Sequence, residues 1–464
     1  MPLPTALHDA LAAILGDRLS TSDSQLDLHG RDESSLPPCR PDAVAFPDST
    51  AEVSAVLSAC HRHGVPVVPF AGGSSLEGQV LPIRGGLSLD CNRMARILEI
   101  DDRALDVRVQ PGVTKDGLNA ALRERGLFFA VDPGADATIG GMAASGASGT
   151  MTVRYGTIRE NVLALEVVLA DGTIIRTGSR ARKSSAGYDL THLLCGSEGT
   201  LGVITELVVR VHGIPEHAAA ARVSFPDVRA AADTAIAIVQ SGIPIARCEL
   251  LDGPQMDAVN RFSGLHEPAE PSLFLEFHGS RAGVQEQVAH VETIATEFGG
   301  GAFRWAVQVE ERSRLWKARH DVYFSLLAYR PGCRSLTTDV CVPLSRLADC
   351  IEATVTDIAA NLPFPAPIVG HVADGNFHCG LLLMPDDPEE RRLAMEFSSR
   401  LVARALEMGG TCTGEHGVGL GKRRYLTQQY GPETVDVMRA LKTALDPRGI
   451  MNPGKLLPDP ISSK

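Results

Sequence analysis

Leu7, Leu11, Ile14 and Leu15 recur near the start of the chain at the spacing of one helical face, and predict a short amphipathic helix. Ser49-x-x-Glu52 opens a second helical pattern with a capping-box signature, and Gly64 closes it as a plausible C′ residue. The run "VPVVPF" (65–70) then reads as a buried strand and leads straight into "AGGSSLEGQ". "GGLSLDCNRMARILEID" and "ALDVRVQPGVT" alternate in a strand-like way. Further on, "ADGT" between two Val/Ile-rich runs predicts a hairpin. "GIPEH" (213–217) carries the Gly and Pro of a domain boundary.

Beyond it the rhythm changes. Strands "ARVSF", "ARCELLD", "SLFLEFHG", "FRWAVQV" and "SLTTDVCVP" alternate with helices expected over 227–240, 282–298, 309–328 and 345–361. These strands are too polar to be buried on both faces. They predict an α+β layer, one antiparallel sheet covered by helices. The closing "ALDPRGIMNPGKLLP" looks like a tail that returns to another domain.

With 464 residues, two or three domains are expected. Apolar residues at 44% and charged residues at 22% are ordinary for a folded soluble protein. A formal net charge of −12 argues against nucleic acid or an anionic membrane surface as partner. No apolar run approaches the ~20 residues of a membrane span; "VLALEVVLA" comes nearest, and Glu166 interrupts it. The N-terminus resembles neither a signal peptide nor a transit peptide. Ten scattered cysteines form no C-x-x-C pair, which excludes an iron–sulfur or zinc-ribbon pattern and suits reduced thiols in a cytoplasmic protein.

Three Gly/Ser tracts stand out: "AGGSSLEG" (71–78), "IGGMAASGASG" (139–149) and "GSEGTLGVI" (196–204). Gly72 and Gly73 allow a sharp turn and close approach of a ligand, and Ser74 and Ser75 add hydroxyls. Such a loop can cradle a pyrophosphate, although one alone is also an ordinary surface turn. None of the tracts is a G-x-G-x-x-G opening a helix, so a nicotinamide fingerprint is absent. Nor is "GVGLGKRR" a Walker loop, since Arg423 stands where Ser or Thr should follow Gly-Lys.

The stretch "HVADGNFH" (371–378) places two histidines about an Asp-Gly turn. If Asp374-Gly375 is a two-residue hairpin turn, His371 directly opposes His378, within reach of one metal ion. Two histidines flanking a turn without chemical purpose fit the same spacing. "TGEHGVG" (413–419) adds Glu415 and His416, adjacent residues that cannot easily share one task. Either could complete a metal site while the other faces a different group. Arg319 has the bland reading of a helix-surface arginine, Asn376 that of a turn former, and Trp316 that of a core residue.

These motifs, with "VDPGADATIGGMAASGASGT", "RYGTIRENV", "GYDLTHLLCGSEGTLGVITE" and "MNPGKLLP", resemble the FAD-linked oxidases of the vanillyl-alcohol oxidase superfamily, and within it the D-2-hydroxyacid dehydrogenases of the cytochrome-type D-lactate group. The resemblance implies a two-subdomain FAD-binding domain at 36–214 after an N-terminal helical segment at 1–35. It implies a substrate (cap) domain with an antiparallel sheet and helices at 215–445, and a tail at 446–464 that rejoins the FAD domain. It implies FAD held by Ala71, Gly72, Gly73, Ser74, Ser75, Pro133, Gly134, Gly140, Gly141, Ser145, Gly149, Glu198, Gly199, Ile204 and Asn452. No His occupies the first glycine loop, so the flavin is expected to be non-covalent. A divalent metal ion (zinc, manganese or iron) is implied on His371, His378 and Glu415, with His416 as base, Arg319 on the substrate carboxylate and Asn376 at the substrate.

The implied reaction is oxidation of D-lactate or a similar small monoacid to its 2-oxoacid, with hydride transfer to FAD N5. A separate acceptor, such as cytochrome c, a quinone or an electron-transfer flavoprotein, then takes the electrons. Some relatives that oxidise D-2-hydroxyglutarate carry a Lys where Thr337 stands here. Glycolate or D-2-hydroxyglutarate oxidation, a sugar or aryl-alcohol oxidase, a metal-dependent hydrolase and a non-catalytic flavin subunit are the alternatives. A cytoplasmic location is expected, with peripheral contact to the inner membrane and a homodimer left open.

Overall fold

A computed structural model describes residues 2–459. The chain forms two compact units, one of residues 1–149, 156–214 and 415–464, the other of 150–155 and 215–414. The passage at Ile214–Pro215 falls in "GIPEH". The return occurs at Glu415, not at 446 as the sequence suggested, and the first 35 residues are part of the first unit. The "TGEHGVG" segment has no regular secondary structure and no periodicity to mark the crossing.

The first unit holds two sheets. Ala43–Ala45, Leu87–Asp90 and Val67–Phe70 pair in parallel, with Leu19–Ser20 antiparallel on one edge. Helix Thr5–Leu15 buries Leu7, Leu11 and Leu15 in the same core as Val53, Val56 and Leu57 of helix Thr50–His63. The latter begins as expected, with Ser49 Oγ accepting from Glu52 N, and ends at Gly64 with φ +66°. Glu52 does not complete the box; its carboxylate accepts from Asp48 N at 2.7 Å and pairs with Arg18. The second sheet is antiparallel, in the order Ile97–Asp101, Asp106–Val109, Val203–Arg210, Val162–Val168, Ile174–Gly178. Val168 opposes Ile174 across the "ADGT" turn. The tail joins the first sheet, where Met451 bridges Val67 in parallel and Asn452 N donates to Val67 O at 2.8 Å.

The second unit is built on an eight-stranded antiparallel sheet. Its order is Arg304–Ala306, His217–Ser224, Ser272–Gly279, Ile245–Leu251, Ile368–His371, Asn376–Leu383, Arg334–Thr337, with Val340–Cys341 also on Asn376–Leu383. The expected helix over 309–328 is two helices, Val309–His320 and Val322–Tyr329, joined at Asp321. Trp316 lies in the core, 4% exposed, packed on Phe274. Phe274, Glu249, His371 and Asn376 oppose one another across four neighbouring strands. They therefore share one face, the face that Trp316 covers.

Asp252 caps helix Gly253–Ser263 by accepting from Gln255 N at 2.8 Å, and burial pushes its carboxyl up to about 7. The folded state thus holds a proton here that the unfolded state releases near the ordinary carboxylate range. This contribution to stability is present at low pH and lost as pH rises through about 7. Asp252→Asn keeps a capping oxygen and removes the buried charge. It should leave stability near pH 4 unchanged and raise it at pH 8 by on the order of 1–4 kcal/mol, measured by denaturant unfolding. Equal effects at both pH values would contradict this.

Candidate active site

The turn in "HVADGNFH" is longer than expected. Val372–Asp374 form one turn of 3₁₀ helix and Gly375 takes φ +80°. A two-residue type I′ turn needs positive φ at both central residues, and here only Gly375 supplies it. A Cβ at Gly375 would lie 2.1 Å from Val342 O, so glycine is required. Consequently His371 opposes Asn376, and His378 opposes Val369, not His371. The register differs from the expectation by two residues, so both histidines keep one face. They are diagonal neighbours, with ring centroids 5.6 Å apart and rings at 81°. One ring nitrogen of each lies within 4.8 Å of the other.

Both imidazoles are buried, 7% and 5% exposed, and each is fixed through Nδ1. His371 Nδ1 donates to Glu249 Oε1 at 2.7 Å, and His378 Nδ1 donates to Thr338 O at 3.1 Å. Carboxylate and carbonyl only accept, so the neutral ring in each case carries its lone pair on Nε2. This is the tautomer a metal ligand needs, with a partner behind each ring.

Glu249 Oε2 accepts from Arg319 Nε at 2.8 Å. Arg319 lies in the last turn of helix Val309–His320, and bonding through Nε leaves its two terminal nitrogens as the pair able to grip a carboxylate. Glu249 has no solvent exposure. Burial alone would raise its carboxyl, but the charges of His371 and Arg319 outweigh it and hold the group below its ordinary value.

Asn376 Nδ2 donates to Asp339 Oδ1 and to Val340 O, both at 2.8 Å. That fixes the amide's orientation, and its buried Oδ1 has no protein donor among the described residues. Asp339 Oδ2 accepts from Thr413 Oγ1 at 2.7 Å and from Gly414 N at 2.8 Å. A Cβ on Gly414 would lie 2.1 Å from Asn376 Nδ2. The backbone is thus held against Asn376 at Gly414. Thr337 opposes Gly380 and so shares the histidine face, whereas Arg334 is exposed and faces the other side.

In the first unit, Ser148 Oγ donates to Glu415 Oε2 at 2.8 Å, and Gln79 Nε2 donates to His416 O at 2.7 Å. Glu198 directs its carboxylate at the same segment, accepting from Val418 N at 2.6 Å and Gly419 N at 2.9 Å. Burial pushes this carboxyl up to about 7.

The glycine tracts divide by function. None of the N–H groups of Gly72, Gly73, Ser74 or Ser75 donates to a backbone acceptor among the described residues. Gly134 presents open space where a side chain would stand, and a Cβ on Gly72 would meet Ser74 Oγ at an ordinary 3.9 Å. Ala71 O accepts from Asn92 Nδ2 at 2.9 Å, and Pro133 O from Lys115 Nζ at 3.4 Å. Chain packing accounts for other glycines: a Cβ would come within 2.4 Å of Pro111 at Gly140, 2.4 Å of Asp132 at Gly149 and 2.7 Å of Pro69 at Gly199. Gly141 N donates to its own helix cap, Thr138, and Ser145 Oγ to Gly141 O. Ile204 is a core residue. Asn452, at φ +39°, donates to Gln79 O and Glu198 O.

Glu249, Asp339, Gln79 and Ser148 were missed from the sequence. A glutamate within the apolar strand "ARCELLD" was the one available signal.

Two family descriptions match the chain: "FAD binding domain" over residues 41–178 and "FAD linked oxidases, C-terminal domain" over 214–456. A Danio rerio protein named "Probable D-lactate dehydrogenase, mitochondrial" is 51% identical over 96% of this chain and 90% of its own. An Arabidopsis thaliana "D-lactate dehydrogenase [cytochrome], mitochondrial" is 44% identical over 98% of this chain and 81% of its own. Among solved structures, p-cresol methylhydroxylase superposes with a TM-score of 0.81 at 19% identity, over 97% of this chain and 96% of that one. Among the described residues no helix is long and apolar enough to cross a membrane. The chain belongs to the FAD-linked oxidases, on a fold of the vanillyl-alcohol oxidase type.

Proposed function

We propose that this protein is an FAD-dependent D-2-hydroxyacid dehydrogenase that oxidises D-lactate and similar small monoacids to 2-oxoacids, passing the electrons to a separate acceptor of the cytochrome kind. The observation that carries this reading is the cluster behind one carboxylate. Two imidazoles with Nδ1 tied share a sheet face, and Glu249 links one of them to Arg319. The names of both relatives point to the same substrate, and that of the Arabidopsis thaliana protein to a cytochrome acceptor.

FAD fits the four amides of residues 72–75, which meet no backbone acceptor among the described residues, and the open face of Gly134. Gly73, Gly140, Gly141, Ser145, Gly149, Gly199, Ile204 and Asn452 shape the surrounding backbone. Glu198 acts one step away, through the segment that carries His416. A divalent ion fits the Nε2 atoms of His371 and His378, with Glu415 as third ligand. When bound, flavin supplies the two-electron chemistry, and the ion lowers the pKa of an oxygen it holds.

The chain's residues do the rest. Arg319 grips the substrate carboxylate with its terminal nitrogens and so decides which face of C2 is presented. Asn376 Oδ1, able only to accept, takes a hydrogen bond from the substrate side. The imidazole of His416 receives the proton of the 2-hydroxyl. Among the described residues no disulfide joins any of the ten cysteines, which suits a reducing compartment.

No covalent tether is expected. Acid precipitation should release the yellow chromophore to the supernatant; flavin retained in the pellet would contradict this.

Substrate choice follows from Thr337. It is uncharged and lies on the histidine face, where a second carboxylate would be desolvated without a partner. D-lactate and D-2-hydroxybutyrate should therefore give higher kcat/KM in dye reduction than D-malate and D-2-hydroxyglutarate. A diacid that beats D-lactate, and loses its advantage on Arg334→Ala, would overturn the preference.

A further inference from the structure

Glu249 is a carboxylate shared by two groups that the proposed reaction uses for different purposes. Its Oε1 receives Nδ1–H of His371 at 2.7 Å and its Oε2 receives Nε–H of Arg319 at 2.8 Å. It sits mid-strand in Ile245–Leu251, opposite Phe274 on one side and His371 on the other, with no solvent exposure. The strand pairing fixes its backbone between those two neighbours. His378, by contrast, leans on a backbone carbonyl, which no substitution of Thr338 would remove.

We infer that Glu249 is a positioning residue that couples the metal ligand His371 to the substrate-carboxylate group Arg319. Two consequences follow, both resting on the function proposed above. First, the carboxylate holds His371 in the Nδ1–H tautomer and makes Nε2 a better donor to a metal ion. Second, the same carboxylate holds Arg319 by Nε alone, so the terminal nitrogens keep one orientation. A neutral amide at this place sets an NH2 donor where one of the two carboxylate oxygens stands, facing another donor. One of the two groups must then lose its partner.

The test uses the purified FAD-loaded full chain, stripped of metal by a chelator and refilled with Zn(II). Zn(II) affinity is read by competition with a chromophoric chelator, and kcat and KM for D-lactate are read separately. Glu249→Gln should weaken Zn(II) binding about 10–100-fold, the range for a lost partner behind a ligand. At saturating Zn(II), kcat should return towards the wild-type value while KM for D-lactate stays raised at least several-fold. A residue that merely supports the fold would not produce that split. Glu249→Asp, which keeps two acceptor oxygens on a shorter arm, should move both quantities in the same direction by less. Wild-type Zn(II) affinity and KM in both variants would overturn the inference. A weakened metal site with normal KM would overturn the coupling. If Glu249→Gln loses its flavin, Glu249→Asp decides: a smaller shift in both quantities supports the inference, and wild-type values defeat it. A wild-type protein that binds no Zn(II) overturns the metal reading itself, an outcome distinct from failure of the variants alone.

Discussion

His371→Ala is expected to yield a yellow protein without stoichiometric metal and with turnover reduced at least a hundredfold. His371 is buried and fixed, and its side chain is one of only three proposed ligands. Removing one of three leaves two donors, too few to hold a divalent ion against water. The flavin should remain, because the loops proposed to hold it belong to the other compact unit. Removal also takes one of two donors from Glu249, a buried carboxylate then left with Arg319. Breaking such a cluster destabilises by about 3–5 kcal/mol, so the unfolding midpoint should fall as well. Elemental analysis, flavin absorbance and dye reduction on the same preparation separate the effects. Full activity after chelation, with no zinc, manganese or iron in the wild type, would defeat the metal assignment.

His416→Ala should leave metal and flavin in place and lower turnover by about 10²–10⁴-fold, the loss typical of a missing general base. The backbone at this position is held independently of the imidazole: Gln79 donates to His416 O, and Glu198 takes the amides of Val418 and Gly419. Truncating the side chain therefore should not release the segment that carries Glu415. KM for D-lactate should change little, since Arg319 and Asn376 are untouched. Loss of metal in this variant, together with retention in His378→Ala, would mean that the roles of Glu415 and His416 are exchanged.

Local signals in the sequence were read well where the physics is local. The cap at Ser49, the left-handed Gly64 and the "ADGT" hairpin each depend on a few adjacent residues. The alternation of the second half also revealed a one-sided antiparallel sheet. The register of "HVADGNFH" was not legible, because it depends on Gly375 fitting against Val342 of another strand. The face of the two histidines survived this error, since a shift of two residues preserves side-chain direction. Glu249 and Asp339 were invisible for a related reason. Each lies far along the chain from the groups it holds, and nothing local marks a carboxylate as a partner for His371, Arg319 or Gly414. The glycine tracts mixed two causes that spacing cannot separate. Gly134 faces open space, while Gly140, Gly149 and Gly199 are required by neighbouring chain. The return at Glu415 went unseen because hydrogen bonds to Glu198 and Gln79, not periodicity, dock that segment.

The most direct test of the proposed function is anaerobic mixing of the purified flavoprotein with each enantiomer of lactate, followed at the oxidised-flavin absorption band. Bleaching by D-lactate, with none by L-lactate over the same time, is expected from the proposed grip of Arg319 on the substrate carboxylate. A flavin that stays oxidised with D-lactate, in protein shown to carry both FAD and metal, would contradict it.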